Sequence, residues 1–388
     1  MESYGSGQRS AGSGRILIAD DQPDLLAALQ LLLKGEGYET VTAHTPERVL
    51  EILRSDRPEL LLMDLNYARD TTSGREGLGL LRSIRALDRT LPVIVLTGWA
   101  SLDLAVECLR GGVSDFIQKP WDNAKLLATL RTHLDESRRL RESRRREAEL
   151  AQQIEEAEEI QRGLLPRQVA SVPGCRMAVS WKPYSALSGD YFDVLRFDPS
   201  RFGICIADVV GKGVPAALLM SNFQAMVQTI ARGGESPTEL CGRLNSFVCR
   251  TVTSNKFITF FYALIDMEKR TLRYSNAGHN PPILVRRDGS WMRLSEGGVV
   301  LGVLSDRRYS QGELDLSAGD RIVLYTDGVP EARNASGEEF GEPRLLELIL
   351  QQSQLDPQEL QDRILKSVTE FCGGSPQDDS TLIAIRVE

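Results

Sequence analysis

Short apolar segments alternate with amphipathic segments over the first third of the chain. Apolar runs occur at 15–19, 60–64 and 92–97, and each is followed by a stretch whose hydrophobic positions recur at helical spacing. Strands that are apolar throughout and separated by helices are typical of a parallel sheet with helices on both faces. The pattern therefore predicts an α/β domain at 15–133, with a doubly wound parallel sheet of five strands.

Beyond residue 170 the pattern changes, because strand-like segments follow one another and the helical segments are grouped. The predicted strands lie at 177–181, 191–196, 201–208, 258–266, 272–276, 282–286, 291–294, 321–325 and 381–387. The predicted helices lie at 215–231, 237–251, 343–352 and 357–371. The dipeptide Asp288-Gly289 predicts a two-residue hairpin turn. Together these features predict an α+β domain at 167–388, with antiparallel sheets flanked by helix pairs.

A charged segment at 134–166 joins the two domains and continues the last helix of the first one. Its apolar residues Leu150, Ile154, Ala157 and Leu164 are spaced by three, four or seven positions. This spacing favours a helical coiled-coil linker that pairs two chains, and a single solvated helix is the alternative. Residues 1–14 are rich in glycine and serine and are expected to form a flexible leader.

Composition narrows the classes of partner and metal. A formal net charge of −8 argues against nucleic acid or an anionic membrane as the main partner. The six cysteines form no C-x-x-C pair and no apolar run is long enough to span a bilayer, so a cytoplasmic protein with reduced thiols is expected. With only three histidines, far apart in sequence, any metal is expected to have oxygen ligands, which suits Mg²⁺ or Mn²⁺.

Polar residues stand at the ends of the predicted strands in the first domain. They are Asp20, Asp21, Asp64, Thr97 and Lys119. The carboxyl ends of parallel strands meet at one edge of a sheet, so these side chains are expected to converge. Three neighbouring carboxylates repel one another and require a cation such as Mg²⁺, while a hydroxyl and an ammonium can bind a phosphoryl group. This edge therefore suits a phosphorylated aspartate.

On these residues, the region 15–133 resembles the response-regulator receiver domains, which have a flavodoxin-like fold. The resemblance implies these roles: phosphoacceptor Asp64, Mg²⁺ ligands Asp20 and Asp21 beside Asp64, and switch residues Thr97 and Lys119. It also implies a sensor histidine kinase as the partner in a two-component phosphorelay. The loop at 66–77 is longer than is common after the phosphoacceptor.

The second domain carries acidic residues at strand ends or in the turns beside them. They are Asp190, Asp193, Asp208, Asp327, Asp378 and Asp379. Carboxylates brought together from several strands would be destabilised without a cation. Two divalent cations on the order of 4 Å apart would activate a water molecule for in-line attack on phosphorus. Such a site needs no protein nucleophile, in accord with the absence of a Cys-based phosphatase motif.

In this order, the acidic motifs resemble those of the metal-dependent (PPM family) protein serine/threonine phosphatases of the SpoIIE type, whose fold is an antiparallel β-sandwich flanked by helices. The resemblance implies two Mn²⁺ or Mg²⁺ ions, bridged by Asp208. It implies that Asp190 and the Val209 carbonyl bind one ion and that Asp327 and Asp378 complete the other, with Asp208, Asp327 and Asp378 catalytic. Whether Asp193 or Asp379 contributes to metal binding is left open.

Two further residues of this domain bear on the resemblance. His279, in the segment NAGHNPP, is expected to form structural hydrogen bonds rather than to bind metal. Ser188 stands where a glycine is common before Gly189, which is a departure from the family's pattern. This departure removes no proposed ligand, so an active enzyme is expected.

Together the resemblances imply a response regulator whose output is a hydrolase. Phosphorylation of Asp64 would control dephosphorylation of a phosphoprotein, for which the family suggests an anti-sigma-factor antagonist. A homodimer is expected from the linker. The alternative is a non-catalytic scaffold that binds the phosphoprotein in the same partner-switching pathway.

Overall fold

The computed structural model describes residues 14–67, 75–98, 102–166, 172–252, 256–352, 354–374 and 377–388. The leader expected at 1–14 lies outside the described residues except for Gly14. The long loop expected at 66–77 is described only at its two ends.

The first domain is built on a sheet of five parallel strands. They are β1 (Arg15–Ala19), β2 (Glu39–Ala43), β3 (Leu60–Asp64), β4 (Val93–Thr97) and β5 (Asp115–Gln118). The helices between them are α1 (Pro23–Gly35), α2 (Pro46–Ser55), α3 (Arg75–Leu87) and α4 (Leu102–Arg110). The strand order β2-β1-β3-β4-β5 confirms the predicted doubly wound sheet.

Both faces of this sheet are buried, as the uninterrupted apolar strands predict. Leu17 and Leu61 belong to a core beneath one face, with α2 and α3. Ile16 and Ile18 belong to a core on the other face, with α1 and the start of the long helix that follows β5. Side chains that alternate along β1 thus enter opposite cores, so the strand ends are held rigidly where the polar residues stand.

A single helix, α5 (Asn123–Leu164), extends over 42 residues and includes most of the predicted linker. The chain forms two compact units that divide within it, between Glu149 and Leu150. Of the four residues of the expected seam, Leu150 is 57% exposed, whereas Ile154, Ala157 and Leu164 are half-buried. Among the described helices, none combines the length and the apolar character needed to cross a membrane.

The second unit contains two sheets whose strands pair antiparallel, apart from one short parallel pair. The strands are β6 (Cys175–Lys182), β7 (Tyr191–Arg196), β8 (Arg201–Val209), β9 (Ile258–Asp266), β10 (Thr271–Ala277), β11 (Ile283–Val285), β12 (Trp291–Arg293), β13 (Gly297–Gly298), β14 (Gly312–Asp315), β15 (Arg321–Tyr325) and β16 (Ser380–Val387). One sheet has the order β13-β10-β9-β8-β7, with β14 beside β10, and the other β12-β11-β15-β16-β6.

Helix pairs flank the two sheets. They are α6 (Val214–Ile230) with α7 (Pro237–Thr251), and α8 (Glu342–Gln351) with α9 (Pro357–Cys372). Ile322 and Leu324 of β15 pack in the core shared with the other sheet, whereas Val323 packs towards α8 and α9. The predicted α+β sandwich flanked by helices is therefore confirmed.

Local sequence explains where these helices begin. Ser236 and Asp356 form capping boxes with Glu239 and Glu359, which satisfy free amides of the first turn. The hairpin at Asp288-Gly289 forms, but its loop is longer than predicted. The Arg286 amide donates to the Ser290 carbonyl at 2.8 Å, which leaves three loop residues. Gly289 takes the positive φ of 85° that such a loop requires.

The pairing of the strands brings the acidic motifs of the second unit to one edge. Tyr191, at the start of β7, lies opposite Ala207 near the end of β8. Likewise Tyr325, at the end of β15, lies opposite Leu382 near the start of β16. The acids that precede β7 and β16 therefore meet those that end β8 and follow β15.

Candidate functional sites

The receiver-like sheet edge holds a compact group of three carboxylates. Oxygens of Asp20, Asp21 and Asp64 lie within 4.8 Å of one another. The Lys119 ammonium lies 2.9 Å from Asp20 Oδ2 and 2.8 Å from Asp64 Oδ2. Because Asp20 and Asp64 are buried, this one cation balances part of a concentrated negative charge. The arrangement has the oxygen ligands and the spacing that suit one Mg²⁺.

Lys119 and Thr97 lie where the sequence predicts them. Burial opposes the charged form of Lys119, but hydrogen bonds to Asp64 and Asp20 outweigh burial and raise its pKa. The Thr97 hydroxyl is buried and has no hydrogen-bond partner among the described residues. The Lys119-Pro120 peptide bond is cis. A free hydroxyl and a bound ammonium beside Asp64 suit the oxygens of a phosphoryl group.

Tyr67 was not singled out from the sequence but belongs to this site. Its hydroxyl is buried without a described partner, and burial, followed by the charge of Asp64, raises its pKa. Asn66 and Glu76 also have buried oxygens that lack a described partner. The available signal was an aromatic residue three positions after the phosphoacceptor, in a loop where solvated residues are expected.

In the second unit, Asp190 occupies the most enclosed position of the acidic site. It is 1% exposed, and its Oδ2 accepts hydrogen bonds from the hydroxyls of Thr326 (2.8 Å) and Thr381 (2.6 Å). Its Oδ1 is buried and has no described partner. Burial, and then the charge of Asp208, raise the pKa of Asp190 well above its usual value. A buried carboxylate fixed through one oxygen leaves the other for a cation.

Asp208 and the Val209 carbonyl lie close to the loop that carries Asp190 because residue 189 is a glycine. A Cβ added to Gly189 would lie 2.9 Å from the Val209 carbonyl oxygen and 3.5 Å from Asp208 Oδ1. Only glycine therefore allows the loop before β7 to lie against the end of β8. Burial, and then the charges of Asp327 and Asp378, raise the pKa of Asp208 to about 7.

A second glycine, Gly328, allows the turns that carry Asp327 and Asp378 to lie in close contact. A Cβ added to Gly328 would lie 1.9 Å from the Asp379 carbonyl oxygen, so the two turns are in close contact. Burial, and then the charges of Glu331 and Asp378, raise the pKa of Asp327 to about 6. Lys212, in the turn after β8, contributes the nearby positive charge, with its ammonium 2.8 Å from Asp378 Oδ2.

The remaining acids have structural partners. Asp379 accepts hydrogen bonds from the amides of Tyr184 (2.8 Å) and Gly189 (2.9 Å). Asp193 is buried and accepts hydrogen bonds from Tyr191 Oη (2.8 Å) and Gln228 Nε2 (2.9 Å). Both carboxylates thus hold the loop and strand around Asp190.

His279 is buried behind the site. Its Nδ1 lies 2.8 Å from Thr259 Oγ1, and its amide donates to Asn276 Oδ1 at 2.7 Å. Burial lowers the pKa of its imidazole to about 4, which keeps it neutral. These contacts agree with the structural role expected from the sequence.

The end of α5 contacts the acidic site within the second unit. Gln161 Nε2 donates to the Ser188 carbonyl at 2.8 Å, and the Ser188 amide donates to Gln161 Oε1 at 3.0 Å. The Asp190 amide in turn donates to Ser188 Oγ at 3.0 Å. Sequence reasoning noted Ser188 only as a departure and missed Gln161, because a glutamine in a charged helix carries no local signal.

The residues present fit divalent metals. Asp190 offers a buried free oxygen, Gly189 gives access to the Val209 carbonyl, and burial raises the pKa values of the acids in the absence of compensating charge. Hard oxygen ligands without cysteine or histidine suit Mg²⁺ or Mn²⁺. Among the described residues, however, only the receiver group brings three acids within 4.8 Å, so the phosphatase acids form the wider site.

Comparison with known families assigns each unit. Residues 16–131 match the family described as response regulator receiver domain. Residues 198–388 match the family described as Stage II sporulation protein E (SpoIIE). The chain is similar to the phosphoserine phosphatase RsbU of Bacillus subtilis, with 34% identity over 239 residues that cover 61% of this chain and 71% of RsbU.

Solved structures agree on the fold. The SiaA-PP2C domain of Pseudomonas aeruginosa matches with a TM-score of 0.56 and 23% identity, covering 62% of this chain and 98% of that one. The RsbU and RsbW domains of a Mycobacterium tuberculosis protein match with a TM-score of 0.52 and 26% identity, covering 58% of this chain and 63% of that one. The antiparallel sandwich is therefore the fold of PP2C-type phosphatases.

Proposed function

The chain belongs to the SpoIIE-type family of PPM serine/threonine phosphatases and has an N-terminal response-regulator receiver domain. From this premise we propose that phosphorylation of Asp64 controls hydrolysis of phosphoserine or phosphothreonine on a protein. The proposed substrate is an anti-sigma-factor antagonist in a partner-switching pathway. A sensor histidine kinase is the proposed phosphate donor.

The observation that carries the catalytic proposal is the free, buried Oδ1 of Asp190 beside three further acids. We propose that Asp190, Asp208, the Val209 carbonyl, Asp327 and Asp378 hold two Mn²⁺ or Mg²⁺ ions. When bound, these ions supply Lewis-acid activation of water and stabilise charge on the phosphoryl oxygens. Thr326 and Thr381 orient Asp190, and Gly189 admits the Val209 carbonyl to the site.

Lys212 is the proposed contact for the substrate's phosphoryl group. Its side chain is 57% exposed and its ammonium pairs with Asp378 at the rim of the site. A cation there attracts an anionic phosphoserine and offsets repulsion between the phosphoryl oxygens and the carboxylates. The neutral, buried His279 has no part in proton transfer in this proposal.

In the receiver domain we propose that Asp20, Asp21 and Asp64 bind one Mg²⁺ and that Asp64 accepts the phosphoryl group. Lys119, now paired with Asp20 and Asp64, is placed to bind a phosphoryl oxygen, and the unpartnered Thr97 hydroxyl to bind another. Each added bond would change the local packing at this edge, which is the usual origin of a phosphorylation switch.

We propose that α5 transmits this change. Its first turns pack in the receiver core through Leu126 and Leu130, and its last turns hold Ser188 through Gln161. Ser188 is two residues from Asp190, so a rotation or shift of the helix would alter the position of that carboxylate. The exposed Leu150, with Ile154, Ala157 and Leu164 at coiled-coil spacing, would pair with a second chain in the proposed homodimer.

The catalytic proposal is tested by Mn²⁺-dependent release of phosphate from a phosphoserine protein by the full chain. Wild type should release phosphate, Asp208→Asn should lose this activity, and the exposed control Asp306→Asn should retain it. Tight binding of the phosphoprotein without phosphate release would instead identify a non-catalytic scaffold. Activity that survives in D208N would refute the proposed metal site.

The coupling proposal is tested on Gln161. The ratio of activities with and without acetyl phosphate should differ from one in wild type and approach one in Asp64→Asn and Gln161→Ala. Gln153→Ala, an exposed position on the same helix, should keep the wild-type ratio. A wild-type ratio in Q161A would exclude the Gln161–Ser188 contact as the path of coupling.

A further inference from the structure

A cavity of about 550 Å³ opens in the second unit, at the end of the sandwich opposite the acidic site. Five arginines line it, and we refer to the cavity as the arginine pocket: Arg176, Arg286, Arg287, Arg321 and Arg386. Among the described lining residues, Glu388 is the single acid. A concentration of positive charge in a concave site is the usual form of an anion-binding site.

Strand direction separates this pocket from the catalytic residues. Arg321 begins β15, whereas Asp327 follows the end of the same strand. At about 3.3 Å per residue, the six steps between them correspond to roughly 20 Å. A small ligand in the pocket therefore does not reach the acids that hold the metals.

Strand register places three of the arginines in one row. Arg321 of β15 lies opposite Arg386 of β16, and Arg386 lies opposite Arg176 of β6. Directly opposed residues of an antiparallel pair project from the same face, and like charges in such a row are destabilising. A bound anion would remove this repulsion.

Internal acids neutralise only part of the pocket. Arg286 pairs with Asp320 at 2.6 Å, and Arg176 pairs with Glu388 and, at 3.5 Å, with Asp356. In the part of the chain that the structure describes, Arg287, Arg321 and Arg386 have no carboxylate within ion-pair distance. Three guanidinium groups thus share the pocket without a charge partner.

Arg321 is the fixed donor of the pocket. It is 3% exposed, and its Nη1 and Nη2 donate to the carbonyls of Gln352 (3.1 Å) and Leu355 (2.6 Å). Its Nε is buried and has no described partner. Burial, and then the charge of Arg386, lower the pKa of Arg321. A buried guanidinium held at two nitrogens keeps one N–H available for a ligand.

We propose that the arginine pocket binds a small molecule that carries two or more linked phosphoryl groups. Arginine forks match phosphate oxygens geometrically, and the unpaired forks of Arg287 and Arg386, together with the free Nε–H of Arg321, offer more donors than one orthophosphate requires. The volume is that of a small-molecule site. The described lining contains no aromatic side chain on which a base could stack, so the site recognises the phosphate chain rather than a nucleobase.

Isothermal titration of the full chain with inorganic pyrophosphate tests this proposal. The buffer contains EDTA, so that metals do not recruit the probe to either acidic site. One pyrophosphate should bind per chain, at least tenfold more tightly than orthophosphate. Lys212→Gln and Lys119→Gln should bind it as wild type does, which excludes the two acidic sites as the place of binding.

Arg386→Gln is the decisive variant, because the Arg386 side chain makes no described hydrogen bond and its loss should not unfold the domain. Affinity should fall at least tenfold, whereas Arg363→Gln, which removes an exposed charge on α9, should change it less than twofold. Pyrophosphate should also raise the melting temperature of wild type and not of R386Q. Wild-type affinity in R386Q, an equal loss in R363Q, or no binding at millimolar probe would overturn the proposal.

Discussion

The two acidic sites of this chain both concentrate negative charge, but they differ in how much of it a lysine offsets. In the receiver domain three carboxylates lie within 4.8 Å, and Lys119 bridges two of them from a position that is only 19% exposed. In the phosphatase domain the acids come from four chain segments, and Lys212 pairs with Asp378 alone from a side chain that is 57% exposed. There burial and mutual repulsion raise the pKa values of Asp190, Asp208 and Asp327.

The contrast shows how each site depends on added charge. An internal lysine gives the receiver site a partial counter-charge, so one divalent cation can complete it. The phosphatase acids have too little internal positive charge and must either bind protons or bind metal. We therefore expect metal to matter more for the stability of the phosphatase domain.

The largest expected effect comes from Asp190→Asn. An amide would keep the hydrogen bonds of Thr326 and Thr381 to its oxygen but would offer no charge to a metal. We expect kcat/KM for a phosphoprotein to fall on the order of 10³-fold, as for loss of one group that stabilises the transition state. Labelling of Asp64 by acetyl phosphate should not change. Loss of labelling would show that the two sites are not chemically independent.

The two lysines give the next test. Lys119→Met leaves buried carboxylates without their partner, so in EDTA it should destabilise the receiver domain by about 3 kcal/mol. Lys212→Met removes an exposed pair and should cost less than about 1 kcal/mol. Chemical denaturation of the two variants measures both values. Equal losses would contradict the distinction between an internal and a rim cation.

The pH dependence of stability separates the sites further. Asp208 has a folded-state pKa of about 7, above its ordinary 3.8, so the unfolded chain releases its proton first. Its contribution to stability is therefore present at low pH and lost as pH rises towards 7. In EDTA, D208N should gain stability relative to wild type between pH 4 and pH 8, by roughly 4 kcal/mol for a pKa difference of about 3 at about 1.4 kcal/mol per pKa unit.

The quantity to measure is the difference in the free energy of unfolding between wild type and D208N. His279, whose pKa burial lowers to about 4, contributes stability above about pH 6.5 that is lost as pH falls. Because both proteins contain His279, its contribution cancels in the difference. Saturating Mn²⁺ should reverse the order and make wild type the more stable protein. A difference that does not vary with pH would show that Asp208 is not under electrostatic strain.

The fold was predictable where local sequence decides it. Uninterrupted apolar strands, prolines in first helical turns and the acids at strand ends led to the two folds and to the convergence of Asp20, Asp64 and Lys119. Local hydrogen bonds nevertheless changed the predicted length of one hairpin loop. Ser290 Oγ and the Ser290 amide donate to Asp288 Oδ1 and extend that loop.

Features that depend on long-range register were not predictable. The row of Arg176, Arg321 and Arg386 joins residues from three strands that are distant in sequence, and no local pattern reports their alignment. The contact of Gln161 with Ser188 likewise depends on where a long helix ends against a loop. The ion pair of Lys212 with Asp378 was not predictable either. The two residues are far apart in the sequence, and Lys212 stands between two glycines in a turn that gives no sign of its partner.

The smallest expected effect concerns Asp379, whose part in metal binding was left open when the family resemblance assigned the adjacent Asp378 as a ligand. Asp379 accepts two backbone amides, so Asp379→Asn should lose one hydrogen bond, about 1 kcal/mol of stability, and should lower kcat about tenfold by loosening the loop of Asp190. Asp378→Asn should instead lower activity at least a hundredfold and weaken Mn²⁺ binding. Equal effects of the two variants on Mn²⁺ affinity would make Asp379 a direct ligand. The acids of the phosphatase site would then be grouped more compactly than the structure indicates, in the manner of the three carboxylates of the receiver site.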